Sequence, residues 1–417
     1  MDRPVRVLFF DHTAELGGGE IALADLIRHL DRRRVEAIVL LGSAGPLQDR
    51  IRPYAPVQVL PLDSAIVRAR KDSLGLRSLS NLSSVLKTAA YLFRLRRFIR
   101  RLQPDLVHTN SLKSAILGGF AARMVTTPVV WHIRDRIAED YLPPQAVRVV
   151  RALARILPTV VVANSEATLR TLHLTNTPSA VVPSGVDLSK FSATAASNCS
   201  PDGDRDNPVI GLIGRICAWK GQHAFVEAAG AVHGRYPDAR FKIIGSALFS
   251  DQPYEQQIRH MIEERGLGEV IELTGFRADV ERCIQSLDIV VHASVLGEPF
   301  GQVIVQGMAC KKPVIATNGG GVPEIVVDGE TGLLIPMGDA AAMADAVCRL
   351  IADREGARKM GENGYRRVLE RFTVSATAEK LTSIYEKLAG KPSEDPVISA
   401  QTGPAEVKDT HQTAARV

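Results

Sequence analysis

Cysteine is scarce in this sequence and poorly placed for cross-linking. Five residues in 417 (Cys199, Cys217, Cys283, Cys310 and Cys348) make an odd number with no C-x-x-C pair. That argues against a disulfide framework and suits free thiols in a reducing compartment. Long apolar runs are missing too: none approaches the roughly 20 residues that cross a bilayer. The first run, Val5–Phe10, is cut off by His12, Thr13 and Glu15, so it does not read as a signal peptide. Neither sign of charge dominates, since 51 basic against 46 acidic residues leaves 51 − 46 = +5. The basic residues are mostly spread along the chain, which argues against nucleic acid as a partner. No His, Cys or carboxylate spacing suits a metal. Asp202-Gly203-Asp204 resembles an acidic metal-binding pair but follows no strand, and reads as a solvated turn. The expectation is a cytoplasmic protein, free to touch the inner face of a membrane.

What is present is an alternation of short β-branched runs and longer helical stretches. One series of strands is expected at Val5–Phe10, Ala37–Leu41, Leu106–His108, Val129–His132 and Val160–Ala163. A second is expected at Val209–Ile213, Phe241–Ile244, Val270–Leu273, Ile289–His292 and Val314–Ala316. Continuous apolar strands are buried on both faces, as in parallel sheets covered by helices. The chain, too long for one core, therefore reads as α/β with two doubly wound, Rossmann-like domains. Residues 1–191 form the first, joined by a helix at 374–390. Residues 192–208, rich in Ser, Ala, Asn, Asp and Gly, read as a linker, and 209–373 as the second domain. Residues 391–417 hold little apolar material and read as a disordered tail.

Open α/β sheets bind ligands beyond the carboxyl ends of their strands, so the segments after each strand matter most. After Val209–Ile213 comes Gly214-Arg215-Ile216-Cys217-Ala218-Trp219-Lys220-Gly221 and a helix start. Arg215 and Lys220 beside a helix N-terminus can form an anion site, or be two solvated surface charges. Gly297-Glu298-Pro299-Phe300-Gly301 precedes an apolar helix carrying Gln302, Val303 and Gln306. Glu298 there can accept hydrogen bonds from hydroxyls, or simply sit well beside the helix dipole. Asn318-Gly319-Gly320-Gly321 and Gly17-Gly18-Gly19-Glu20 each lead from a strand to a helix, as close-approach loops or as plain turns. The latter is not G-x-G-x-x-G, which weakens a nicotinamide-cofactor reading. His108 and His132 end strands, where packing and function are both open readings.

Taken together these segments resemble family-4 retaining glycosyltransferases (glycosyl transferase group 1), which have the GT-B fold. The resemblance covers about 5–390 and rests on Gly17-Gly18-Gly19-Glu20, His132, Val182-Pro183-Ser184-Gly185-Val186-Asp187, Gly214-Arg215 with Lys220-Gly221, Glu298-Pro299-Phe300-Gly301 and Gly320–Gly332. It implies a UDP- or GDP-sugar donor as co-substrate, no metal or other cofactor, and a glycan or lipid-linked hydroxyl as acceptor. It implies that Arg215 and Lys220 hold the diphosphate and Glu298 the sugar, assisted by backbone around Phe300, Gly301, Gln302 and Val303. Gly275 and Phe276 would lie near the base, Gln306 near the ribose, and His132, Gly18 and Gly19 would close from the first domain. The catalytic set so implied is His132, Glu298, Lys220 and Arg215. The terminal helix would cross back to the first domain.

Two positions depart from the pattern. Gln306 stands where the family commonly has a second Glu, which weakens a ribose contact by about 1–2 kcal/mol. Ser184 replaces an Asn, which reads as a turn variation with little effect on chemistry. A separate stretch, Tyr91–Leu102, reads as a helix with Leu92, Leu95, Ile99 and Leu102 on one face and Arg94, Arg97 and Arg101 on another. The apolar face suits packing on the first sheet, and the Arg94–Arg101 face suits anionic lipid headgroups. Two other functions stay open on the same fold: a sugar-nucleotide epimerase, and a catalytically weak sugar-nucleotide-binding protein.

Overall fold

The structure, a computed structural model, describes residues 3–63, 82–191, 207–248, 251–392 and 398–400. The expected Asp202–Asp204 turn, nearly all of the expected 192–208 linker, residues 64–81 and most of the expected tail lie outside the described residues.

The first sheet contains β1 (Val5–Asp11), β2 (Val35–Leu41), β3 (Val57–Val59), β4 (Leu106–Thr109), β5 (Val129–Ile133), β6 (Val160–Ala163) and β7 (Pro178–Val181). The second contains β8 (Val209–Ile213), β9 (Arg240–Ile244), β10 (Ile271–Gly275), β11 (Ile289–His292), β12 (Val314–Thr317) and β13 (Leu333–Ile335). The two-residue β14 (Ser399–Ala400) adds an edge to the first sheet. The orders are β14-β7-β6-β5-β4-β1-β2-β3 and β10-β9-β8-β11-β12-β13. Each sheet starts in its middle, grows to one side and then reverses, which is the doubly wound plan. Both are parallel apart from β14, which runs antiparallel to β7 through Ser399 opposite Ser179. At those residues the chain differs from the disordered tail expected from 391 onward: Ile398 packs on the first core and the pair completes an edge.

The strands are buried as their composition demands. β4, β5 and β6 are buried at every position, as are β11 and β12. Helices cover both faces of each sheet, giving two packed layers of apolar side chains per sheet. Leu95 and Ile99 of the helix Leu82–Leu102 point into the first core, whereas Phe93, Arg97, Arg100 and Arg101 are exposed.

The last helix, Val374–Leu388, belongs to the first sheet although it follows the second in sequence. Thr373 caps it by accepting the Ala376 N–H at 3.2 Å, and Gly390, at φ 70°, takes the left-handed turn after it. Its Ala378, Leu381, Ile384 and Tyr385 pack with Phe9, Leu23 and Ile27. Arg34 holds its outer face through Glu379 at 2.7 Å and Glu386 at 2.7 Å. On the way back the chain runs beside its outgoing self: Val186 bridges Thr373, and the Thr377 hydroxyl donates to the Pro183 carbonyl at 2.8 Å.

Candidate functional site

The reversal of strand order in the second sheet falls between β8 and β11, where the doubly wound plan opens a crevice. Two sequence-expected residues meet there. Lys220 ends a short 3-10 turn after β8, and Glu298 lies between β11 and the helix Gln302–Ala309. Lys220 Nζ donates to Glu298 Oε2 at 2.7 Å. The same oxygen accepts from the Ser294 hydroxyl at 2.9 Å and lies 3.2 Å from His292 Nε2. Thr317, the last residue of β12, sits 3.3 Å from His292 Nδ1. Burial alone would raise the Glu298 pKa, but Lys220 and then His292 outweigh it and hold the carboxyl far below the carboxylate range. The site thus keeps a fixed carboxylate and a fixed ammonium side by side.

The backbone around this pair is tightly specified. Gly221 has φ 73°, and a Cβ there would lie 2.0 Å from the Ala293 carbonyl oxygen. Gly320, at φ 63°, forms a parallel bridge with Glu298, and a Cβ would come within 2.0 Å of the Glu298 carbonyl oxygen. Only glycine fits both the dihedral and the space. The glycine run expected as a close-approach loop therefore first approaches its own protein.

The other expected residues are placed unevenly. Arg215 carries a half-exposed side chain, its Nε 3.6 Å from Asp251. Gly275 ends β10 at φ 72°, and Phe276 beside it is 71% exposed. Phe300 is buried against Phe372, ring centroids 6.0 Å apart, so its side chain is committed to the core and only its backbone is free for recognition. Gly301, at φ 116°, starts the helix that carries Gln302, Val303 and Gln306, all three half-buried.

The first domain supplies the facing wall from the carboxyl ends of β1, β4 and β5. Asp11 is fully buried and accepts from Asn110 Nδ2 at 2.7 Å and from the Ser111 hydroxyl at 2.9 Å. Arg134 donates to Asn110 Oδ1 at 3.2 Å and to the Ser184 hydroxyl at 2.6 Å. Burial lowers its pKa to about 10, which still leaves it charged. Ser184 thus anchors a buried guanidinium, a larger part than a turn variation. Glu20 is raised to about 7, by burial first and by Asp11 next. Gly18 and Gly19 open the helix Gly18–His29, and Asn110 Nδ2 also donates to the Gly19 carbonyl at 3.2 Å. His132 is fully buried, its Nδ1 3.2 Å from His108 Nε2. Burial first, then Arg134, keeps both imidazoles neutral, with His108 lowered to about 3.

The two walls touch directly. Ser165 and Thr168 hydroxyls donate to the Pro299 carbonyl at 2.6 and 2.9 Å. Glu324 accepts the Glu166 and Ala167 N–H groups at 2.9 and 2.8 Å, and Arg136 donates to the Gly297 carbonyl at 3.1 Å. The ring of Tyr141 meets Trp219 edge-on at 6.1 Å. Among the residues that sequence reasoning did not single out are His292, Ser294, Asn110, Asp11, Arg134 and Glu324. Asn110, Asp11 and Arg134 carried a usable signal, since each ends or directly follows a strand.

Known proteins share this plan. The family description "Glycosyltransferase Family 4" matches residues 16–190, and "Glycosyl transferases group 1" matches 200–367. The chain is a GT-B-fold protein related to the group 1 and family 4 glycosyltransferases. It is 32% identical over 185 residues to an alpha-D-kanosaminyltransferase of Streptomyces kanamyceticus, covering 44% of this chain but only 46% of that relative. It is 26% identical over 322 residues to the Escherichia coli UDP-Gal:alpha-D-GlcNAc-diphosphoundecaprenol alpha-1,3-galactosyltransferase, covering 72% of this chain and 80% of that one. The Anabaena protein HepE, solved in complex with UDP-glucose, superposes with a TM-score of 0.75 at 25% identity, covering 92% of this chain and 99% of that one. Among the described residues no group of three or more His, Cys, Asp or Glu is placed to hold a metal ion, and no helix is long and apolar enough to cross a membrane.

Proposed function

We propose that this chain is a retaining glycosyltransferase that moves a sugar from a UDP- or GDP-sugar to a hydroxyl of a glycan or lipid-linked acceptor without a metal. The observation that carries the reading is the Lys220–Glu298 pair at the reversal point of the second sheet. A departing nucleoside diphosphate gains charge as the glycosidic bond breaks, and a fixed ammonium favours that state over the ground state. Arg215 shares this task from the same loop. Glu298, held ionised, accepts hydrogen bonds from sugar hydroxyls, while amides around Gly301–Val303 support the sugar or phosphate. Gly275 and Phe276 lie toward the base and Gln306 toward the ribose. His132, Gly18 and Gly19 approach from the first domain, and closure of the two walls excludes water. The acceptor hydroxyl gives its proton to the leaving phosphate, so no protein nucleophile takes part. The UDP-glucose complex of the Anabaena neighbour supports the donor class, and the lipid-linked substrate in the name of the Escherichia coli relative supports the acceptor class.

The test is turnover with a panel of UDP- and GDP-sugars and candidate acceptors. Nucleotide release with sugar transfer and unchanged anomeric configuration is expected. Isomerised donor would point instead to an epimerase, and binding without turnover to a sensor. Peripheral membrane contact would run through the helix Leu82–Leu102, whose outer face joins Phe93, 61% exposed, to Arg97, Arg100 and Arg101. Co-sedimentation with anionic liposomes at low salt, weakened by salt, is expected; no binding at either salt rejects this contact.

A further inference from the structure

Behind the first-domain wall a row of buried rings links the last helix of the chain to β5. The Tyr385 hydroxyl lies 2.9 Å from His108 Nδ1, and His108 Nε2 lies 3.2 Å from His132 Nδ1. Arg134 Nη2 reaches the same His132 Nδ1 at 3.4 Å. Both histidines and the tyrosine are shut off from solvent. His132 Nε2 has no partner among the described residues.

One arrangement alone keeps N–H from facing N–H: His132 Nδ1 shares its lone pair between Arg134 and His108, and of these ring nitrogens only His132 Nε2 is left without a partner among the described residues. A guanidinium can only donate, so His132 Nδ1 must offer a lone pair to Arg134. A neutral imidazole has one N–H, which places the proton of His132 on Nε2. His108 must in turn donate from Nε2 and accept at Nδ1, and the Tyr385 hydroxyl supplies that proton. In the reverse arrangement, an N–H of His132 would face an N–H of Arg134. Tyr385 would then be left with a proton and no acceptor among the described residues. Burial keeps Tyr385 protonated and both imidazoles neutral, so no charged form disturbs the count.

We infer that Tyr385, acting through His108, is a positioning residue that fixes His132 as its Nε2–H tautomer, leaving that N–H as the donor for a substrate oxygen. This rests on the reading that His132 lies beside the donor sugar. It makes the docked C-terminal helix a requirement of the site, not only of the fold. Losing the last helix would free the tautomer even if the second domain stayed intact.

The test joins ring ¹⁵N spectra of histidine-labelled full-length protein to turnover of UDP-glucose. His132→Gln assigns the His132 signals. The wild type is expected to show both His108 and His132 protonated at Nε2. Tyr385→Phe removes only the hydroxyl; it should mix the tautomers and lower kcat about 3–10-fold, the worth of one neutral hydrogen bond, with KM nearly unchanged. Leu381→Ala, on the same helix and in the same core, should lower Tm while leaving ring signals and low-temperature kcat alone. A His132 protonated at Nδ1, or Tyr385→Phe spectra like the wild type, overturns the relay. Shifted spectra in Tyr385→Phe with full turnover in His132→Gln would uphold the relay and overturn the donor-sugar reading beneath it.

Discussion

Glu298 keeps its charge because Lys220, His292 and Ser294 take the place of water around its carboxylate. Removing Lys220 therefore does two things: it deletes the cation for the diphosphate and leaves a buried carboxylate less compensated. Lys220→Ala is expected to cost about 2–4 kcal/mol in transition-state stabilisation, read as kcat/KM with the active nucleotide sugar. Values near wild type would remove Lys220 from the diphosphate site. Lys220 and Glu298 were legible in sequence because each lies beyond a strand end, next to glycines that only a close approach requires. His292 and Ser294 were not singled out, because a histidine ending a buried strand and a serine two residues on read equally well as packed polar residues. His108 sets a second, pH-dependent balance. Its folded pKa of about 3 lies below its unfolded value, so the unfolded chain binds the proton first as pH falls. That stability is complete above about pH 6.5 and is lost on acidification, by about 2 kcal/mol between pH 7 and pH 5. Urea unfolding at the two pH values should show the loss, and His108→Phe should shrink it; an equal slope in the variant would assign the acid sensitivity elsewhere.

Ten strands were readable as apolar runs, since burial on both faces leaves no polar alternation to confuse them. The shortest were missed: β14 has two residues and β3 and β13 three each, too few for any period to show. β7 begins with Pro178, which reads as a boundary. The glycine loops are a different case, because their need for glycine arises from neighbours distant in sequence. Gly320→Ala is expected to strain a left-handed residue and push against the Glu298 carbonyl, costing about 1–3 kcal/mol. Because Glu298 would move, donor affinity should fall with Tm. A lower Tm at unchanged donor Kd would show that the loop shapes the fold without shaping the site.

The two halves of the molecule meet through polar contacts that can break singly. Glu324 is the clearest, a carboxylate of the second domain on the first N–H groups of the helix Glu166–Arg170 in the first. Glu324→Ala is expected to cost about 1 kcal/mol of closure and raise the donor KM, with a larger radius of gyration in solution scattering. An unchanged radius and KM would mean that the Pro299 and Arg136 contacts hold the walls without it. This contact was not legible in sequence: Glu324 and Glu166 are far apart in the chain, and only the folded pair of sheets brings them together.

The crossing of Val374–Leu388 back onto β1 also sets an order of events at the ribosome. Residues 3–191 emerge first, yet the helix that covers Phe9, Leu23 and Ile27 is made near the end. Strands β8 to β13 are contiguous in sequence, and the helix Arg354–Arg371 and Phe372 that complete their cores are made before Val374–Leu388. The half that is translated second should therefore mature first, while the earlier half stays open along one apolar face and exposed to chaperones. Proteolysis of stalled nascent chains should find protection across 209–373 before it appears across 3–191, and simultaneous protection would refute that order.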